Sequence, residues 1–343
     1  MRNLGKLAVL GITALGLALA GPQDNSLVIG ASQEPRVLAG DFLSVISNQA
    51  IKSEIEQYLF APFIGFNADS QNFPVLATEV PTLENGRLRV TDIGGGKKRL
   101  EMDITIRPDA KWSDGRPITT EDVAFYFEVG KAKGMPVLNP DFWERVNVRI
   151  KDARNFTLIF EPAYYYDTYG PINTYAPKHI MGPEWERVKA AARGLDPQKD
   201  AEKLNELYRN FFIKFSTPQA LNRGAMVYSG PFMLRRWVPG NSIEMVRNPN
   251  FPIKPEGGES KYVQKVVYRF IQNTNSLLVA VIGGSIDATS SVSLTFDQGR
   301  SPQLVRRAPG RFDIWFVPGA IWEHIDINKF ENCQVVKDLG LND

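Results

Sequence analysis

Residues 100–129 read LEMDITIRPDAKWSDGRPITTEDVAFYFEV. Leu100, Met102, Ile104 and Ile106 alternate with Glu101, Asp103, Thr105 and Arg107, the period-two pattern of a strand with one dry face. Trp112-Ser113-Asp114-Gly115-Arg116-Pro117 is turn chemistry. Thr119 predicts a helix N-cap, and Asp122 three positions on closes a capping box. Val123, Ala124, Phe127 and Val129 supply the predicted apolar face of that helix. Gly134, after Lys131 and Lys133, suits a left-handed helix end.

Working outward, Leu27–Ala31 predicts a short buried strand, broken at Pro35. Residues 46–60 carry helical spacing through Ile51, Ile55, Tyr58 and Leu59. Residues 86–90 pair with the 100–106 strand through Gly94-Gly95-Gly96-Lys97-Lys98. That turn lacks the spacing and the Ser or Thr of a phosphate-binding loop. Residues 146–150 and 157–160 predict two more strands, and 201–215 an amphipathic helix with Leu204, Leu207, Tyr208, Phe211 and Phe215 on one side. A hairpin is expected from 232–237 and 243–247 around Pro239-Gly240-Asn241. After the polar crossing at 256–260, a strand at 263–271 and a helix at 274–282 predict the opening of a second α/β lobe.

The composition is that of an ordinary globular chain: 343 residues, 43% hydrophobic and 23% charged. Lys and Arg number 40 and Asp and Glu 38; without Arg2 and Lys6 the two signs are equal at 38, which excludes the basic footprint of a nucleic-acid binder. Those two cations precede an apolar run, Leu7–Leu19, and Ala18-Leu19-Ala20, which predicts a cleaved secretory signal over 1–20. Leu17–Gly21 is similar to a lipoprotein box, but Gly21 and Pro22 stand where the lipid-bearing Cys belongs, so no lipid anchor is expected. Cys333 is the only cysteine, so no intrachain disulfide forms. The expected location is periplasmic or otherwise extracytoplasmic.

Catalysis asks for a titrating group near neutral pH or a metal. The two histidines, His179 and His324, stand alone, and no HExxH, CxxC or GxSxG pattern is present. No enzyme, no metal and no cofactor is expected. Tyr164-Tyr165-Tyr166, Tyr169 and Tyr175 cluster among Gly170, Pro171 and Pro177, either lining a cleft or packing a loop.

The stretch 100–129, with strand, Arg-Pro-Asp, turn and capped helix in one order, resembles the family 5 extracellular solute-binding proteins, the peptide- and nickel-binding subunits of ABC importers. Three further patches agree: Ser229–Leu234 with Arg247–Phe251, Val263–Asp287, and Trp322–Asn328. The resemblance implies an α/β, two-lobed periplasmic-binding-protein-like fold of the large type II class, closing on a ligand about a hinge. It implies a first lobe over 21–262, with an inserted subdomain at about 45–165, and a second lobe from 263 to 343. Members of the family are usually longer, so a C-terminally truncated second lobe is expected.

The function so implied is delivery of a peptide-class solute to the permease subunits of an ABC importer, by a monomer. Expected ligand contacts are Glu34 for a peptide amino terminus, Arg36 for a carboxylate, Tyr228, and Trp322 with Glu323 as a wall. The alternatives are a secreted sensor or chaperone-like protein on the same fold, a non-functional remnant, or a secreted hydrolase.

Overall fold

Strand β1 (Ser26–Ala31) is the axis of the larger sheet. Its sequence, SLVIGA, is apolar on both faces, as befits a strand flanked by parallel partners and covered on both sides. In this computed structural model, residues 25–316 are described except 68, 169–171, 255–256 and 259–261. The expected signal segment, His324, Trp322 and Glu323 lie outside the described residues.

The chain forms two compact units, one ending at Thr295 and one starting at Phe296. In the first, β1 pairs in parallel with β10 (Lys265–Phe270), Ser26 facing Lys265 and Ala31 facing Phe270. On its other side it pairs in parallel with β11 (Ala288–Thr289). β10 runs antiparallel to β9 (Ser242–Arg247), which makes a hairpin with β8 (Phe232–Val238). The sheet order is β11-β1-β10-β9-β8.

Helix α1 (Ala50–Leu59) covers one face, where Ile51, Ile55 and Leu59 join Ile29, Ala31, Val266, Tyr268 and Phe270. Helix α7 (Thr274–Gly283) covers the other, where Leu277 and Ile286 meet Val28. Gly30 lets the α7 side approach closely: a Cβ there would stand 2.5 Å from the tip of Ile286 and 2.6 Å from the tip of Leu277, so both side chains would have to shift. The α/β class expected from the sequence is therefore observed. β10 is an interior strand of the β1 sheet, hydrogen-bonded on both edges.

A second core lies under a four-stranded antiparallel sheet, ordered β4 (Leu88–Gly94), β5 (Lys97–Thr105), β7 (Asn155–Phe160), β6 (Val146–Ile150). A short hairpin, β2 (Ile64–Phe66) with β3 (Asn72–Pro74), adjoins it. The β4–β5 turn uses Gly94, Gly95 and Gly96, all at positive φ, where any Cβ is strained. The inner face buries Leu100, Met102, Ile104, Phe156, Leu158 and Phe160. On the outer face Arg89 donates to Asp103 at 2.7 Å and Lys151 to Asp103 at 2.7 Å, while Arg149 pairs with Glu101.

Helix α2 (Thr120–Gly130) joins the two cores. Phe125 and Val129 belong to the first core, and Val123 and Phe127 to the second. The capping box is formed as expected by Thr119 and Asp122. The single apolar face expected for this helix is replaced by two, which is why Phe125 is buried and Ala124 only half-buried. The helix ends at Gly130, and Gly134 takes its left-handed conformation in the turn that follows. The remaining helices are α3 (Pro140–Arg145), α4 (Lys178–Ala192), α5 (Ala201–Ser216) and α6 (Pro218–Asn222). In the second unit, α8 (Phe296–Gly299) and α9 (Pro302–Val305) are single turns, and the Phe296 and Phe316 rings meet at 5.1 Å.

Candidate functional site at the carboxyl edge of the parallel strands

In an open α/β sheet the carboxyl ends of parallel strands, where their connections part, form the natural ligand crevice. Here that edge is set by Ala31, Phe270 and Thr289, the last residues of β1, β10 and β11. The β8–β9 turn lies at the same edge, because Phe270 N donates to Asn241 O at 2.8 Å.

Ser32-Gln33-Glu34 leaves β1 here. The Ser32 hydroxyl donates to the Val292 carbonyl, tying the β1 exit to the segment after β11. Trp237 Nε1 donates to Glu34 Oε1 at 2.8 Å, and Gly240 N to Oε2 at 2.9 Å. Each carboxylate oxygen has a second lone pair, so Glu34 retains acceptor capacity. Arg36 is exposed, and its backbone N–H donates to Gln49 Oε1 at 2.7 Å.

On the α1 side stand Glu54 and Tyr58. Tyr268 donates its hydroxyl to Glu54 Oε1 at 2.8 Å. Glu54 Oε2 accepts from Ser290 Oγ at 2.9 Å, Ser291 N at 3.0 Å and Ser291 Oγ at 2.5 Å. The Tyr58 and Tyr268 rings meet edge to face at 6.0 Å. Burial pushes both phenols up, so both stay protonated donors at neutral pH. Ser293 Oγ donates to Gly30 O at 2.8 Å. Tyr268 and Ser290 are buried, so the groups this edge offers to a polar, backbone-rich ligand are the Glu34 carboxylate, the Arg36 guanidinium and the exposed Ser291.

The structure places the expected contacts unequally. Glu34 and Arg36 lie at this edge. Tyr228 is buried, its ring tilted on Phe60 at 5.9 Å, in a segment stapled to the Trp112–Pro117 turn. Ser113 N donates to Tyr228 O at 2.7 Å and Tyr228 N to Ser113 Oγ at 3.0 Å. Trp322 and Glu323 lie outside the described residues. Of the tyrosine cluster, Tyr175 is buried, donating to the Ala61 carbonyl and bonded to Ser229 Oγ at 2.6 Å. Tyr165 is 84% exposed, and Tyr164 stacks 4.0 Å from the Arg145 guanidinium. Sequence reading missed Glu54, Tyr58, Tyr268, Ser290 and Ser291. Their signal was positional: one carboxylate a helical turn before Tyr58, and hydroxyls directly after a predicted strand-helix unit.

Other places carry less chemistry. A groove of about 810 Å³ between the 74–78 and 249–254 segments holds Arg107, which is already closed on Asp109 at 2.9 Å, and Lys254, whose Nζ donates to Pro249 O at 3.2 Å. His179 pairs with Asp114 Oδ2 at 2.9 Å, tying the turn to α4. Among the described residues no group of three or more His, Cys, Asp or Glu is arranged to hold a metal ion. Among them, too, no helix is long and apolar enough to cross a membrane.

Known proteins resemble this chain. Residues 97–324 match the profile described as bacterial extracellular solute-binding proteins, family 5 Middle. The chain is 98% identical, with a TM-score of 0.92, to the oligopeptide binding protein from Thermus thermophilus complexed with pentapeptide, over 94% of this chain and 54% of that one. It is 23% identical over 270 residues to the oligopeptide-binding protein AppA of Bacillus subtilis, covering 77% of this chain and 40% of that protein. It is 27% identical over 203 residues to a probable ABC transporter-binding protein of Deinococcus radiodurans, covering 57% of this chain and 30% of that protein. The chain therefore spans about half the length, or less, of these relatives.

Proposed function

The chain belongs to the bacterial extracellular solute-binding proteins of family 5, and from that premise we propose that it binds short peptides at the carboxyl edge of β11-β1-β10 and presents them to an ABC importer. The observation that carries the ligand class is the 98% identity to a protein seen with a pentapeptide. The edge is chemically consistent with it, since a peptide backbone offers the amides and termini that a carboxylate, a hydroxyl and a guanidinium satisfy.

In this reading Arg36 pairs with a peptide carboxylate. Glu34 uses its remaining lone pairs for an ammonium. Tyr228, buried and bonded to Ser113, has a structural role and does not touch the ligand. The protein works outside the cytoplasmic membrane after removal of residues 1–20, with permease subunits as partners.

The test is native mass spectrometry of the protein from its extracytoplasmic fraction, incubated with an equimolar pentapeptide library. Retention of intact peptides supports binding. Shortened peptides point to hydrolysis, and no retained peptide removes the assignment.

A further inference from the structure

Glu54 is the most heavily engaged carboxylate at the carboxyl edge, and it joins α1 to partners on β10 and on the segment after β11. Four hydrogen bonds converge on it, from Tyr268 on β10 and from Ser290 and Ser291 after β11, while the residue itself stands on α1. Ser291 gives it both its amide and its hydroxyl. The rest of the segment is tied to β1: Ser290 N donates to Gly30 O at 2.9 Å, Ser293 Oγ to the same carbonyl at 2.8 Å, and Ser32 Oγ to Val292 O.

These ties divide the labour. The bonds to Gly30 hold the segment's backbone against β1 whatever happens at α1. The bonds to Glu54 set the rotation of Ser290–Ser291 toward α1 and fix the Tyr268 hydroxyl beside Tyr58. An ionised carboxylate accepts only, so a single group imposes one orientation on three hydroxyls at once. A hydroxyl with no such acceptor samples several rotamers, and a ligand then bears the cost of ordering it.

We propose that Glu54 is a positioning residue for the peptide site: with the buried Ser290 and Tyr268 it pre-orders the exposed Ser291 at the carboxyl edge, and so sets the affinity for peptide without touching it. The proposal rests on the peptide-binding reading above. With its lone pairs committed to four donors, Glu54 has little left for a ligand ammonium, unlike Glu34, which accepts two bonds.

The experiment compares the unsubstituted chain with Glu54→Ala, Glu54→Gln and the paired variant Ser290→Ala/Ser291→Ala. Three quantities are read: affinity for a pentapeptide by calorimetry, hydrogen-exchange protection of residues 290–293, and the thermal midpoint. Glu54→Ala is expected to lose protection at 290–293 and to bind about tenfold more weakly, as expected when ordering is shifted onto the ligand. Glu54→Gln, which keeps one acceptor oxygen, is expected to fall between. Adding Glu54→Ala to the double serine variant is expected to cost less than it does alone, because the shared partners are gone. A purely structural Glu54 would lower the midpoint of all variants and leave pentapeptide affinity unchanged, which overturns the proposal. Absence of pentapeptide binding by the unsubstituted chain removes the peptide reading itself. Binding by the unsubstituted chain with equal binding by Glu54→Ala removes only the role of Glu54.

Discussion

Trp112 Nε1 donates to Asp122 Oδ2 at 3.3 Å, joining the turn of the sequence motif to the helix cap that follows it. The same oxygen accepts from Thr119 N at 3.0 Å, and Oδ1 accepts from Lys178 N at 3.0 Å. Both Trp112 and Asp122 are buried. The stretch that most clearly marks the family is thus a clamp between turn, α2 and α4.

Removing that clamp is expected to be costly. Asp122→Ala leaves one buried donor, Trp112 Nε1, and two part-buried backbone donors without this acceptor, a loss of about 2 kcal/mol. Thermal unfolding followed by near-ultraviolet circular dichroism is expected to show a midpoint lowered by several degrees. An unchanged midpoint contradicts the clamp.

Two glycines give opposite expectations. A Cβ at Gly230 would stand 2.6 Å from the Leu59 carbonyl carbon and 2.7 Å from Phe60 N, so backbone has to move. Gly230→Ala is expected to lose about 3 kcal/mol or more. Gly240 has φ +72° and open space around it, so Gly240→Ala costs only the left-handed strain, about 1 kcal/mol. Urea unfolding of the two variants separates clash from strain; equal losses contradict the difference.

Lys52 lies on α1 only 2% exposed, donating to Glu56 Oε2 at 3.1 Å and to Asp41 O at 3.0 Å. Burial pushes the Glu56 carboxyl up to about 7, against the pull of Lys52, from an ordinary value of 4.5. Between these values the folded chain holds a proton that the unfolded chain has lost. The contribution of Glu56 is therefore fully present below pH 4.5 and is lost as pH rises through about 7. Urea midpoints measured from about pH 5 to about pH 7.5 are expected to carry this decline, and Glu56→Gln is expected to flatten it. An identical slope in the variant removes Glu56 as the cause.

Asp103 acts in the opposite sense. Although partial burial raises its carboxyl, hydrogen bonds from Arg89, Lys151 and Thr157 hold it well below the usual carboxylate range. Its contribution is present above the ordinary aspartate value and is lost only as pH falls through the lowered one. Asp103→Asn is expected to cost about 1 kcal/mol at neutral pH, less in high salt, and to weaken the acid-side decline. Salt-independent loss contradicts an electrostatic origin.

What was legible in the sequence was what is local. The capping box needs two residues three apart, and the β8–β9 hairpin needs one turn, so both are written in adjacent positions. The place of β10 was not legible, because its partner β1 lies some 240 positions earlier and no short pattern records that pairing. Lys52 reads as one more solvent-facing charge on an amphipathic helix until Asp41 and Glu56 close round it. Phe125 was missed because a helix between two cores has two buried faces, and a one-face pattern captures half of it. Among the site residues, Glu34 and Arg36 follow a recognisable strand, whereas Glu54, Tyr268 and Ser290 meet only through the fold.

Among the described strands β1 comes first in the chain, and both its neighbours in the larger sheet come last. Until Lys265–Phe270 and Ala288–Thr289 have been synthesised, Ser26–Ala31 has no partner on either edge. Closing so long a loop is slow, since its entropy must be lost before the pairing rewards it. The order of the strands therefore acts as a timer: the β8–β9 hairpin is able to close on its own short turn, while β1 waits for residues some 240 positions later before either of its edges is paired.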